Sequence, residues 1–301
     1  ISDVIEFGEN CTVVVSNSLN EACQILAGDN FVDGAESEWI DKNNIRPPFA
    51  IIYFKEYRAR ALRGGRRQEK EGYIVTYDAF PEGKEDIKNW EKESLPNIVT
   101  ALVINLSTLE RPVKLVPVER AVSGTTKEGV TVFDIKITGS ANLLVSSGRT
   151  FDDINNALSY SAETFRKLEY KTSRHFYSAL NEKDRLKQFL SYFLFIERST
   201  HSQFQRLNYQ ADAAVTFNIP GRLSGSGSKF LEERFNDSRS LAQRFNWCAL
   251  LVWRQLDDSD IENFTIIKKA RDRLAHGEDI PEAELPVEIA NLLSMKILGI
   301  V

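Results

Sequence analysis

The spacing of apolar residues changes character about halfway along this chain of 301 residues. Up to about Ser147, short segments rich in β-branched and aromatic residues alternate with turn signals, which is typical of strands. From Phe151 onward, apolar residues recur every three or four positions, which predicts amphipathic helices. We therefore expect an α+β chain, with a β-rich mixed domain over residues 1–150 and an all-helical domain over residues 151–301.

The first half contains four predicted strands, at residues 12–15, 50–57, 72–80 and 131–138. The second and third of these flank an arginine-rich segment, 58–70, whose Gly64-Gly65 pair suits the turn of a long hairpin. A helix is expected over about 81–93, and residues 98–106 fit either a helix or a buried strand.

The second half contains six predicted helices, at residues 151–168, 183–207, 229–235, 240–256, 259–276 and 285–300. Residues 221–228 are rich in glycine and serine but lack the phosphate-loop pattern GxxxxGK[ST], which favours a flexible, exposed linker. Ser259 and Glu262 have the spacing of a capping box, and Gly277 is well placed to end the helix that follows.

Composition excludes several classes of function. The longest apolar runs fall far short of a membrane span. The three cysteines and three histidines show no ligand spacing, so we expect no metal and no other cofactor. Scattered unpaired cysteines are typical of core thiols in a cytoplasmic protein. The formal charge is −5 and neither half is polybasic, so any RNA must be held by a local patch.

Two charged residues fall on apolar helix faces. Projected down the helix axis, Arg271 lies in the middle of the apolar stripe of helix 259–276. Glu197 lies within the apolar stripe of helix 183–207, which includes Leu186 and Phe193. Because a buried charge is costly unless paired, one interpretation is a structural Glu197–Arg271 ion pair. The other is catalytic: Asp272 and His276 lie four residues apart, close enough for the carboxylate to orient the imidazole.

The six residues from Arg271 to His276, Arg-Asp-Arg-Leu-Ala-His, match the arginine–four-to-six–histidine motif of HEPN domains. With Gly277, the preceding segment and the series of long helices, residues 151–301 resemble the Apea-like branch of that family. The resemblance implies a metal-independent endoribonuclease that acts on RNA as a homodimer, in which the motifs of two protomers form one composite cleft.

The resemblance also implies roles for individual residues. His276 would act as general base or acid on the ribose 2′-OH or the leaving 5′-oxygen, and Arg271 would stabilise charge on the scissile phosphate. Asp272 would hold the His276 ring or help to set the dimer contact. Glu197 is not part of the motif, and its supporting role follows only from its position opposite Arg271. The products would be a 2′,3′-cyclic phosphate and a 5′-OH.

Two other functions stay open. One is a non-catalytic HEPN dimer that binds RNA, a nucleotide or a protein partner. The other is a scaffold whose N-terminal domain senses an unknown ligand while its C-terminal domain oligomerises. HEPN proteins are frequent in prokaryotic toxin and phage-defence systems, and an N-terminal sensor that controls a toxic nuclease would fit such a role by analogy.

The predicted hairpin tip carries five arginines. We single out Arg60, Arg63, Arg66 and Arg67 as candidate contacts to RNA phosphates. The alternative is a solvated loop whose charge is balanced by neighbouring glutamates.

Overall fold

The chain forms two compact units, which we describe separately. The first comprises Ile1–Ser107 and Pro112–Tyr170, and the second comprises Thr108–Arg111 and Lys171–Val301. The change of sequence character at residue 150 thus precedes the boundary between the units, and the helix that begins at Phe151 belongs to the first. Together the elements make an α+β chain that is mostly helical.

This computed structural model describes the chain except for residues 28–35, 44–45, 56–66, 71–72, 77–80, 109–112, 114, 116–120, 126, 128–130, 136–149, 210–211, 213–216 and 301. It also leaves the side chains of 27, 39, 42–43, 67–70, 73–76, 121–123, 125 and 131–135 undescribed. Among the described residues, no helix is long and apolar enough to cross a bilayer.

A three-stranded antiparallel sheet opens the first unit, in the order β1 (Ile5–Glu6), β2 (Cys11–Ser16) and β3 (Phe49–Phe54). The central strand β2 is almost entirely buried, because strands flank it on both sides and α1 (Leu19–Ala27) packs against it. The predicted strands at 12–15 and 50–57 are therefore confirmed in position, although β3 ends at Phe54.

A second sheet has the order β4 (Arg67–Lys70), β5 (Tyr73–Thr76), β7 (Thr131–Ile135) and β6 (Ala121–Thr125). The predicted long hairpin is wrong, because β3 pairs with β2 in the other sheet and β5 pairs with β4. Lys70 lies opposite Tyr73, so only residues 71–72 connect the two strands. Closing so short a connection costs less chain entropy than closing a loop around Gly64-Gly65.

Three more helices complete the first unit: α2 (Glu36–Asn43), α3 (Pro81–Leu106) and α4 (Phe151–Lys167). The helix predicted at 81–93 and the ambiguous segment at 98–106 are one continuous helix, α3, which passes through Pro96. An interior proline costs about 3 kcal/mol. The buried apolar run that follows Pro96 packs along α4 and offsets that cost.

The second unit contains α5 (Tyr170–Asn181), α6 (Arg185–Arg206), α7 (Ser224–Asn236), α8 (Leu241–Leu251), α9 (Asp258–Ala275) and α10 (Val287–Ile297). Short 3₁₀ turns lie at Gly221–Leu223 and Glu282–Glu284. Helix α6 lies at the centre, since α8, α9 and α10 all pack against it. The predicted helices at 151–168, 183–207 and 259–276 agree with α4, α6 and α9.

The flexible linker predicted at 221–228 is wrong. These residues are exposed, apart from the half-buried Gly227, but they form the 3₁₀ turn and the first turn of α7. Gly227 packs so closely on Ile219 that a Cβ there would lie 2.7 Å from the Ile219 Cγ2 atom. The low helix propensity of glycine is therefore outweighed by a contact that only glycine allows.

Candidate functional site

The N-terminal end of α9 is fixed by a capping box that differs from the predicted one. The Asp257 carboxylate accepts hydrogen bonds from the Ser259 and Asp260 N–H groups, and the Asp257 N–H donates to Asp260 Oδ2 at 3.0 Å. The Ser259–Glu262 box is therefore wrong, because Asp257 and Asp260 satisfy the same spacing two residues earlier.

Asp260 also ties α9 to α10. Its side chain is 1% exposed, and both of its oxygens accept hydrogen bonds from Lys296 Nζ, at 2.9 and 2.8 Å. The Lys296 side chain is itself only 16% exposed. The start of α9 is thus held by an ion pair whose members are largely shielded from water.

Arg271 continues the buried face of α9 at the far end of the helix. Asp260, Phe264 and Ile267 are buried, and Arg271 follows Ile267 by one turn on the same side. Its side chain is nevertheless 40% exposed, and the guanidinium carbon lies 5.2 Å from the centre of the Phe193 ring. The prediction that Arg271 lies on the buried face of α9 is correct. The side chain is nevertheless partly exposed, because α9 ends one turn later and the packed surface ends with it.

The predicted Glu197–Arg271 ion pair is wrong. Arg271 pairs with Asp272, its Nη1 atom lying 3.1 Å from Asp272 Oδ1, and within the described part of the chain Glu197 makes no ion pair. The buried face of α6 is rotated by about 110° from Glu197, given 100° per residue. Leu186, which helped to define the predicted stripe, is among the exposed apolar residues.

Asp272 is held by two cations rather than by the imidazole. Lys268 Nζ donates to Asp272 Oδ2 at 2.5 Å, and Arg271 donates to Oδ1. The hydrogen bond from Lys268, and then the one from Arg271, lower the pKa of the Asp272 carboxyl, although partial desolvation opposes them. The predicted contact between Asp272 and the His276 ring is not formed among the described residues.

His276 caps the C-terminal end of α9, as predicted, and is exposed. Gly277 follows in a left-handed conformation, with φ of +82°. The Glu278 N–H donates to the Arg273 carbonyl and the Gly277 N–H to that of Leu274, both at 3.0 Å, which is the Schellman arrangement. The backbone at His276 is therefore well fixed. Its ring makes no hydrogen bond in the described structure.

Beside His276, a shallow groove of ≈ 340 Å³ runs along the outer side of α9. It is lined by side chains of that helix and its cap, namely Thr265, Lys268, Lys269, Asp272, Arg273, His276 and Glu278. Arg271 does not line the groove, because five residues place it about 140° around the helix axis from His276. One protomer thus presents the two motif residues on different sides of α9.

The sequence prediction missed the two lysines and the arginine of this groove, Lys268, Lys269 and Arg273. Arg273 Nε lies 2.6 Å from Glu278 Oε2, and Lys268 pairs with Asp272. The spacing of Lys268 and Asp272, four residues apart on one helix, was the available signal. The apolar stripe of α9, which gave the other signal, lies on a different side of the helix.

Other predicted site residues lie elsewhere. Arg60, Arg63 and Arg66 fall outside the described residues, and of Arg67 only its backbone in β4 is described. The three cysteines are buried and form no disulfide, as predicted for core residues, and burial raises the pKa of the Cys11 and Cys248 thiols to about 12. No group of three potential metal ligands occurs among the described side chains.

Comparison with known proteins adds no assignment: the chain matches no protein-family model, no curated protein and no solved structure. The candidate site is therefore defined by its own residues, which are the half-exposed Arg271, the paired Asp272, the exposed His276 and the groove beside it.

Proposed function

We propose that the second unit is a metal-independent endoribonuclease of the HEPN type. The observation that carries this proposal is that α9 is anchored at its start and presents two accessible motif residues at its end. Arg271 uses one of its five N–H donors on Asp272, which leaves the others for a phosphate. The His276 ring is exposed at a fixed backbone position, where it can exchange protons with a substrate.

In the proposed reaction, the ribose 2′-oxygen attacks the adjacent phosphorus as the P–O5′ bond breaks. His276 accepts the 2′-OH proton or donates a proton to the departing 5′-oxygen. Arg271 stabilises the negative charge that builds up on the phosphate oxygens. The products are a 2′,3′-cyclic phosphate and a 5′-OH, and DNA is not a substrate because it lacks the attacking group.

The proposed enzyme acts as a homodimer through the second unit. Arg271 and His276 lie on different sides of one helix, so the two side chains of one protomer face different spaces. A second copy whose α9 lies against the first brings the His276 of one protomer towards the Arg271 of the other. This arrangement agrees with the composite cleft that the resemblance implies.

The decisive experiment incubates the purified protein with RNA in EDTA and compares wild type with His276→Ala. We expect wild-type cleavage to give cyclic phosphate ends and the variant to lose at least about a hundredfold in rate, the usual contribution of a general acid or base. Because His276 is exposed, its removal should leave the thermal melt unchanged.

His175→Gln, which replaces a histidine on α5, is the matched control and should cleave like wild type. Cleavage that persists in His276→Ala, or that appears only when magnesium is supplied, would contradict the proposed mechanism.

A non-catalytic role has one observation in its favour. The Asp272 carboxylate accepts hydrogen bonds from Lys268 and Arg271, and it therefore does not orient the His276 imidazole. The alternative function is an HEPN-type dimer that binds RNA, a nucleotide or a protein partner without cleaving it. RNA binding without any cleavage by the wild type would favour this alternative.

The proposed biological setting is a toxin or phage-defence system of the cytoplasm, in which the first unit senses a ligand and controls the nuclease. Its support is the family resemblance alone. Cell growth during expression of wild type and His276→Ala offers a direct check, since only an active toxic nuclease should arrest growth.

A further inference from the structure

The groove on the outer side of α9 contains a cation, Lys269, that no carboxylate of the described residues neutralises. Lys268 is bonded to Asp272 and Arg273 to Glu278, whereas Lys269 is exposed and makes no ion pair with any described residue. An anion can therefore bind the Lys269 ammonium without first breaking a salt bridge.

Lys269 and His276 lie on the same side of α9. They are seven residues apart, which is two helical turns and about 10 Å along the axis. Along one strand of double-stranded DNA the phosphates are about 3.4 Å apart in the axial direction, and with a similar spacing in a stacked RNA strand this distance corresponds to about three nucleotides. A strand that passes His276 and follows the groove therefore brings a later phosphate to Lys269.

The side chains around the groove indicate what kind of contact they make. The described lining residues include cations, carboxylates, one threonine and the His276 imidazole, but no Phe, Tyr, Trp, Asn or Gln side chain. Aromatic rings such as Trp stack on bases, and the amides of Asn and Gln read adenine edges. Arg273 could also stack on a base or contact a guanine edge, but its guanidinium is paired with Glu278. The groove is consequently better suited to the sugar–phosphate backbone than to the bases.

We propose that Lys269 is a phosphate-binding residue that positions single-stranded RNA along α9, about three nucleotides from the scissile bond. The inference rests on the proposed function for the location of that bond. Single-stranded RNA is the named ligand because attack by the 2′-OH needs an in-line geometry that an A-form duplex does not hold. The contact is independent of base sequence.

The test combines binding and cleavage. Binding is measured by fluorescence anisotropy with a 5′-fluorescein-labelled, mixed-sequence single-stranded RNA, using proteins that also carry His276→Ala so that the probe stays intact. Lys269→Ala should weaken binding about two- to fivefold. It should also reduce the slope of log Kd against log salt by about 0.7, the value for one phosphate contact on a single strand.

Lys269→Arg should restore both the affinity and the salt slope, since the charge and its reach are kept. Lys229→Ala removes an exposed lysine from α7 and is the matched control, expected to bind like its parent. In the cleaving protein, Lys269→Ala should raise KM and leave kcat unchanged, as expected for a contact made equally in the ground and transition states.

The outcomes separate this inference from the proposed function. Cleavage by the wild type, with the same KM and salt slope in Lys269→Ala, leaves the nuclease intact and refutes the role of Lys269. Lys269-dependent RNA binding without cleavage supports the phosphate contact and refutes the nuclease. A wild type that neither binds nor cleaves the RNA overturns both.

Discussion

The charged side chains at the two ends of α9 differ in burial and in how fully they are paired. At its start, Asp260 and Lys296 are largely buried, and each oxygen of the carboxylate accepts a hydrogen bond from the ammonium. At its end, Arg271 is 40% exposed and keeps donors free, while the His276 ring has no partner in the described structure. One end is closed to ligands and the other is open to them.

The difference shows how a single helix can provide both stability and a site. Buried, satisfied charges fix the position of α9 against α10, whereas groups that bind or react must stay accessible. Side chains on a rigid helix are also placed more accurately than side chains on a loop. We therefore expect mutations at the start of α9 to act on the fold, and mutations at its end to act mainly on the ligand.

The largest expected effect comes from Lys296→Met. Removing the ammonium leaves the Asp260 carboxylate buried with only the Asp257 N–H as a donor. Breaking a buried pair in this way costs about 3–5 kcal/mol. Chemical denaturation should show this loss in the free energy of unfolding, and RNA cleavage should fall only in proportion to the unfolded fraction.

The matched control is the double variant Lys296→Met with Asp260→Asn, which tests whether the loss comes from leaving the Asp260 carboxylate buried without its cation. The asparagine oxygen can still accept the Asp257 N–H, and no charge remains buried, so much of the lost stability should return. Single losses that simply add in the double variant would mean that Asp260 and Lys296 are not energetic partners.

A smaller effect is expected from Gly277→Ala at the other end. No atom lies within 4 Å of the added methyl group, so the change tests only the backbone, whose φ is +82°. A left-handed conformation costs an L-residue about 1 kcal/mol more than glycine. Urea denaturation should show that loss.

Gly225→Ala provides the contrast for this prediction. Gly225 lies inside α7, its added methyl group also meets no atom within 4 Å, and its φ is not positive. Alanine there should stabilise the helix by about 0.5–1 kcal/mol. If both variants shift stability in the same direction, the Schellman turn does not restrain the backbone at His276.

Most of the helices could be predicted from sequence because their signals are local. The end of α9 at Gly277 and the extent of α6 follow from capping residues and from apolar spacing within one segment. The helix through Pro96 and the helical glycine segment could not be predicted in this way. Both depend on contacts with other elements, namely the packing of α3 on α4 and of Gly227 on Ile219.

The candidate site was only partly predictable for a related reason. The sequence located Arg271 and His276, because a helix end and a motif are both local patterns. It assigned the wrong partner to Arg271, because the position of Glu197 depends on how far α6 is rotated about its axis. It assigned the wrong partner to Asp272, because Lys268 and His276 both lie four residues away and spacing alone does not choose between them. The predicted face included Leu186, which lies on the exposed side of α6 and displaced that face towards Glu197.

The smallest expected effect sharpens the contrast between the two ends, and it concerns pH. The Lys268 and Arg271 hydrogen bonds depress the pKa of Asp272 in the folded protein. Its pairing therefore stabilises the fold above the unfolded value of about 3.9, and this contribution is lost as the pH falls through the lower, folded value. Asp272→Asn should cost roughly 0.2–1 kcal/mol at pH 7, because all three side chains are more than a third exposed or close to it and water screens them.

The measurement is the free energy of unfolding of wild type and Asp272→Asn, from pH 7 down to acid pH. Glu197→Gln is the control, because it removes a carboxylate that makes no ion pair with any described residue. The difference between wild type and Asp272→Asn should shrink below about pH 4 and should also fall with added salt. A difference that stays constant with pH would show that the pairing is not ionic. If Asp272→Asn loses as much unfolding free energy as Lys296→Met, the charged groups at the end of α9 are as shielded from water as those at its start. The distinction between an anchoring end and an accessible, ligand-binding end would then be wrong.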